Sequence, residues 1–421
     1  MTHKDRRLPP PEGRQGEFTW LSGGGVASPE GFVAAGVHSG IKRRNLDLAL
    51  LATERPASVA GALTLNQVQA APVHYCREIL ERGTARAVLV NSGNANACTG
   101  EQGMEDTRAM AKACAAALGV DASEVLVAST GVIGVRLDMP PILAAVPTVA
   151  AELGAEDARG AAAAEAILTT DTVPKAAALQ CETSSGTVTL GGMTKGSGMI
   201  APAMAVPHAT TLAFVTCDAA VDVDDLRRVL ARANEATFNS ITVDGDTSTN
   251  DTLCVLANGA AGGPSLKGED LDLFERALTE LLGYLARSIV YDGEGATRLI
   301  EVRVVGAQSE ADARAVAQTV ANSPLVKTAF HSGEPNWGRF LMATGRAPAA
   351  VEEARVSIAL NGTTIVEGGR GCLDDLEVVA EGMRRPEVVL QIDLGLGSGT
   401  AAVWTCDLSQ QYVHINASYI S

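Results

Sequence analysis

Apolar and β-branched residues come in short bursts separated by glycine, asparagine and threonine. The run ARAVLVN at 85–91 is nearly all apolar and ends in a Gly/Asn loop, which predicts a buried strand. A second buried strand is predicted at 124–129, stopping at Thr130-Gly131. Shorter alternating segments lie at 31–37 and 47–53, and two further strands at 187–190 and 210–218 flank a glycine-rich turn at 191–198. Apolar positions with helical spacing predict helices at 103–118, closed by Gly119, and at 156–168, 226–236, 271–288 and 311–322. The last third returns to strands at 356–360, 388–393 and 401–406. Strands and helices alternate in blocks rather than in strict βαβ units, so the expected class is α/β (α+β), with mixed sheets layered by helices. A chain of 421 residues suggests two or three packed units, with one large α/β unit as the alternative.

Aromatic residues make up only 4% of the chain, so Ala, Val, Leu and Ile must build its core. Lys and Arg number 33 against 49 Asp and Glu, a net charge of −16. Nucleic acid and anionic membrane are bound by cations, so neither is an expected partner and a small-molecule substrate is. The start, MTHKDRRLPPP, has no apolar signal core, and no run of 18 apolar residues occurs. The eight cysteines are scattered singly without a CxxC pair, which predicts no metal site and suits a reducing cytoplasm.

Three short segments could carry chemistry. Thr194-Lys195-Gly196-Ser197-Gly198 lets backbone approach a ligand and offers an ammonium to a carboxylate or phosphate. Ser129-Thr130-Gly131, at a strand end, can aim a hydroxyl and a backbone N–H at developing negative charge. Asp292-Gly293-Glu294-Gly295 sets a carboxylate between glycines, where it could grip an ammonium. Taken singly, each is more often an ordinary turn. The phosphate-loop spacing and the dinucleotide spacing are both absent, so nucleotide binding loses support.

Taken in order, these segments and their neighbours resemble the ornithine acetyltransferase family of arginine biosynthesis. The matching blocks are VNSGNANACTG (90–100), ASTGVIG (128–134), ILTTDTVPK (167–175) and KGSGMIAP (195–202). TVDGDTSTNDT (242–252), DGEGAT (292–297), NSPLVKTA (322–329), PNWGR (335–339) and INASYIS (415–421) follow. The resemblance implies a self-processing, N-terminal-nucleophile-like architecture with a smaller C-terminal α/β lobe. It implies cleavage between Ala209 and Thr210 into an α subunit, 1–209, and a β subunit, 210–421, two copies of each assembling. A freed α-amino group, with a pKa of about 8, can take the hydroxyl proton that an amide nitrogen cannot. Thr210 is then the nucleophile that receives acetyl from N-acetylornithine and passes it to glutamate.

By the same resemblance Thr130 and Gly131 form the oxyanion hole, and Thr169, Lys195, Thr210, Glu294, Asn416 and Ser421 bind substrate. Lys195 suits the carboxylate and Glu294 the cationic end of ornithine. No cofactor is implied, although many members also accept acetyl-CoA as donor. One departure stands at the cut: Met204-Ala205 is followed by Val206-Pro207-His208-Ala209 before Thr210, four residues beyond the family pattern. Downstream spacing aligns the nucleophile with Thr210, leaving Thr211 as the fallback. The insertion is read as a bulge, the alternative being that Pro207 and His208 perturb cleavage. A paralogue of specialised metabolism and an uncleaved, inactive homologue are the competing functions.

Overall fold

The computed structural model describes residues 7–201, 204–205, 211–372 and 376–418. Its larger sheet is organised by one long strand, Leu48–Thr64, which pairs antiparallel with Phe32–Val37, Thr84–Asn94, Met204–Ala205 and Thr252–Ala257. From Thr252–Ala257 the sheet continues through Leu212–Cys217, Gly186–Lys195, Lys175–Thr183 and the hairpin Gly13–Gln15/Phe18–Leu21. On the other side Thr84–Asn94 pairs in parallel with Val125–Val132.

Both faces of this sheet are covered, which explains why its strands read as continuous apolar runs. Along Leu212–Cys217, Ala213 and Val215 join a core with Leu281 and Leu285 of helix Gly268–Tyr291. The alternate residues Leu212 and Phe214 join a second core with Ile79 and Leu80 of helix Ala71–Arg82. Period-two alternation thus divides one strand between two helical layers.

The predicted turn at 191–198 is corrected by strand Gly186–Lys195, which runs straight through Gly191 and Gly192. A Cβ on Gly191 would lie 2.0 Å from the Gly25 carbonyl oxygen, and one on Gly192 2.7 Å from Leu285. These two glycines admit neighbours rather than reverse the chain. The strand predicted to stop before Thr130 also continues, to Val132, because Ser92 and Gly93 remain paired with Thr130 and Gly131.

The C-terminal lobe is a second sheet in the order Arg370–Gly371, Thr363–Glu367, Ser357–Leu360, Glu387–Asp393, Leu299–Ala307, Gly399–Cys406. Helices Glu310–Ala321, Pro324–Ser332 and Trp337–Gly345 bury its apolar side around Phe330 and Phe340. An isolated bridge pairs Ile241, which follows the turn Phe238–Ser240, with Trp404 of the strand Gly399–Cys406. The mixed sheets layered with helices and the smaller C-terminal lobe are as expected.

Candidate active site

Several strands of the large sheet end at one place, and loops from elsewhere close it. Val125–Val132 brings Thr130 and Gly131, Gly186–Lys195 brings Lys195, and the starts of Leu212–Cys217 and Thr252–Ala257 bring Thr211 and Asp251. Thr169 follows helix Asp157–Ala166, Glu294 follows helix Gly268–Tyr291, and Asn416 comes from helix Gln410–Ser418. Together they line a cavity of about 110 Å³.

The Lys195 ammonium donates to the Thr130 hydroxyl at 3.1 Å. Burial lowers the pKa of Lys195, and the Asp171 carboxylate, first among the acidic neighbours, only partly opposes this. Gly131 has φ +132°, and a Cβ there would lie 2.3 Å from the Gly93 carbonyl carbon, so position 131 admits only glycine. On the far wall Asn416 Nδ2 donates to Glu294 Oε2 at 2.7 Å. A Cβ on Gly198 would sit 2.5 Å from the Glu294 carboxyl carbon. Gly198 is thus the space that Glu294 occupies.

Behind this lining lies a buried ionic cluster. Lys175 Nζ donates to Asp171 Oδ1 at 2.7 Å and to Asp292 Oδ2 at 2.6 Å, with all three side chains almost fully buried. Burial alone would raise Asp171, but the Lys175 ammonium, and then Lys195, hold it well below the usual carboxylate range. Burial likewise disfavours charge on Lys175, and the two aspartates outweigh it, so its pKa rises. Asp171 also accepts the Gly196 N–H at 2.7 Å, and Asp292 accepts the N–H of Thr172 at 3.0 Å and its hydroxyl. Three sequence blocks are thereby locked together beneath the cavity.

Two other polar residues shape the wall. Asp244 accepts the N–H groups of Met199 and Ile200 at 2.7 and 2.9 Å, holding the loop after Lys195 in place. Asn250 Nδ2 donates to the carbonyls of Ser129, at 2.8 Å, and Ala95, fixing the strand end that carries Thr130.

The structure therefore gathers Thr130, Gly131, Thr169, Lys195, Glu294 and Asn416 around one cavity. Ala209, Thr210, Ser421 and the 206–209 segment with Pro207 and His208 lie outside the described residues. Thr211, the fallback nucleophile, lines the cavity with φ +138°, and its hydroxyl is buried without a hydrogen-bond partner among the described residues. Sequence reasoning assigned no role to Asp171, Lys175, Asp244, Asn250, Asp251 or Asp292. Their signal lay inside the blocks TTDTVPK, TVDGDTSTNDT and DGEGAT, where charged residues cluster among small polar ones.

A profile of the ArgJ family matches residues 33–421. The chain is similar to the arginine biosynthesis bifunctional protein ArgJ of Symbiobacterium thermophilum, with 49% identity over 95% of this chain and 99% of that one. Similarity to the protein of the same name from Geobacter sulfurreducens is 48%, over 93% of this chain and 99% of the other. Among solved structures, ornithine acetyltransferase from Mycobacterium tuberculosis, complexed with ornithine, is 49% identical and covers 45% of this chain and 100% of its own, with a TM-score of 0.43. With a family profile over most of its length and near-half identity to full-length relatives, the chain belongs to the ArgJ family.

Proposed function

We propose that the chain is a glutamate N-acetyltransferase of arginine biosynthesis, moving acetyl from N2-acetylornithine to glutamate through an acetyl ester on Thr210. The observation that carries this reading is the cavity, whose charges match a diamino acid: an ammonium at Lys195, a carboxylate at Glu294, and the Thr130-Gly131 strand end as a third point. Maturation is cleavage between Ala209 and Thr210, which frees the α-amino group that serves as base. The Thr210 hydroxyl then attacks the acetyl carbonyl, and the oxyanion is stabilised by Thr130 and Gly131. Lys195 holds the substrate carboxylate, while Glu294 and Asn416 hold its cationic end, with Thr169 and Ser421 completing the subsite. Ornithine leaves and glutamate takes the acetyl group; one amide is exchanged for another, so no nucleotide is consumed.

In this reading the two pieces, 1–209 and 210–421, assemble as two copies of each in the cytoplasm. Acetyl-CoA enters only as a second acetyl donor, read out by N-acetylglutamate formation without ornithine. The primary test is an intact mass together with a transfer assay. Two masses dividing between Ala209 and Thr210, with acetyl passing from N-acetylornithine to glutamate, are expected. A single uncut mass without transfer would overturn the proposal.

A further inference from the structure

One carboxylate in the cavity has no task in the scheme above. Asp251 is 4% exposed and lines the cavity beside Lys195 and Thr211. Its Oδ2 is buried without a hydrogen-bond partner among the described residues. The position is fixed by the backbone: the Thr64 N–H donates to the Asp251 carbonyl at 3.0 Å, and the next N–H, of Thr252, donates to the Thr211 carbonyl at 2.5 Å. A buried carboxylate oxygen with no partner is costly unless a ligand supplies one. It lines the same cavity as the Thr130-Gly131 strand end.

We propose that Asp251 carries the proton of the amine that leaves and the amine that enters during acetyl transfer. This rests on the acetyl-threonine reading given above. In the first half-reaction the C–N bond of N-acetylornithine breaks, the threonine oxygen bonds the acetyl carbon and its proton passes to the departing nitrogen. Asp251, as the neutral acid, gives a second proton, so ornithine leaves as an ammonium and Asp251 becomes a carboxylate. In the second half-reaction that carboxylate takes a proton from the glutamate ammonium. The neutral amine then bonds the acetyl carbon, the ester C–O bond breaks, and the threonine oxygen regains its proton from the attacking nitrogen. Asp251 ends as it began, and no proton is drawn from or left to solvent over the cycle.

The surroundings suit an acid that rests protonated. Burial raises the Asp251 carboxyl well above the ordinary carboxylate range, with Lys195 and, more weakly, the Ser248 hydroxyl opposing. Of the charged groups that share the cavity, Lys195 ends the strand beyond Leu212–Cys217, and Glu294 stands on the far wall. On the strands alongside, Thr64 and Thr211 stand beside Asp251, and neither is an acid or a base near neutral pH. Because the acid form is required for ornithine release, acylation by N-acetylornithine falls as pH rises through this raised value.

The test uses the full chain and two pairs of reactants. p-Nitrophenyl acetate has a leaving group that needs no proton, and hydroxylamine is a neutral nucleophile at neutral pH, so this pair bypasses Asp251. Asp251→Asn is expected to lose roughly 10²–10⁴-fold in transfer from N-acetylornithine to glutamate, the usual worth of a general acid–base group. Acetyl transfer from p-nitrophenyl acetate to hydroxylamine is expected to persist, and Asp251→Glu to restore part of the amine transfer. Equal losses with both pairs, or failure of Asp251→Asn to be processed, would overturn the assignment and give Asp251 a structural or maturation role. Absence of processing or transfer in the unaltered protein would instead overturn the function on which the inference rests.

Discussion

Gly131 and Gly198 are both required, for different reasons. Gly131 sits at φ +132° with no room for a Cβ beside Gly93, so the constraint is on the backbone itself. Gly198 has no such constraint; what a side chain there would meet is the carboxylate of Glu294, 2.5 Å away. Gly198→Ala must therefore push Glu294 from its place against Asn416 while leaving the Thr130-Gly131 strand end alone. Displacing a hydrogen-bonded charge costs about 1.5–3 kcal/mol. The expected outcome is a KM for N-acetylornithine raised on the order of ten- to a hundredfold, with kcat changed far less, checked by steady-state kinetics. Thr130→Ala removes a group at the other end of the cavity. It is expected to lower kcat by roughly 10²–10³-fold, as loss of one oxyanion donor does, with KM little altered. A uniform change in both constants for both variants would count against the division of labour between the two walls.

At the scale of elements, the buried triad Asp171, Lys175 and Asp292 joins the segment after helix Asp157–Ala166, the start of strand Lys175–Thr183 and the end of helix Gly268–Tyr291. Asp171 has a depressed pKa, so its contribution to stability is full above the unfolded value of about 3.9 and is lost as pH falls through the folded one. Lys175 has a raised pKa, so its contribution is full below about 10.4 and is lost as pH climbs through the folded value. Lys175→Met leaves two buried carboxylates without their cation and is expected to destabilise by about 3–5 kcal/mol at neutral pH. In this variant Asp171 has lost the Lys175 ammonium that depresses its pKa and binds a proton more readily, so the deficit should shrink on acidification. Urea midpoints measured at neutral and at mildly acidic pH check this; a deficit independent of pH would contradict it. The sequence blocks pointed to this region, but the pairing of Lys175 with Asp292 spans 117 residues and no local spacing encodes it. Gly191 and Gly192 misled in the opposite direction. Glycine pairs mark turns when judged locally, whereas these two lie in a strand crossed closely by Gly25 and Leu285.

For the whole molecule, periodicity found part of each lobe, such as the strands at 85–91 and 388–393 and the helices at 103–118, 271–288 and 311–322. Helices Ala71–Arg82, Met139–Ala151, Pro324–Ser332 and Trp337–Gly345 and strands Lys175–Thr183, Thr252–Ala257 and Leu299–Ala307 were not found by it. Helix Gln410–Ser418 escaped that reading for a physical reason: it buries no residue and so carries no apolar stripe. It is nevertheless the element by which the C-terminal lobe reaches the cavity of the larger one, through Asn416 on Glu294. The C-terminal lobe already clasps the segment that follows helix Gly268–Tyr291 before this helix begins. Asp407 accepts the N–H and hydroxyl of Thr297, both at 2.6 Å, and pairs with His331 at 2.7 Å, while the Ser409 hydroxyl donates to the Gly295 carbonyl at 2.6 Å. Truncation after Ser409 keeps that clasp and removes only the arm. The melting temperature is therefore expected to move by a few degrees at most, since a change of 1 kcal/mol shifts a large domain by about 2–4 °C. Substrate binding should weaken much more, because Glu294 loses the amide that orients it and the subsite loses its far wall. Thermal melts and the KM for N-acetylornithine, measured on the same preparation, separate the two effects. A collapse in melting temperature would show that the arm holds the lobes together rather than completing the site.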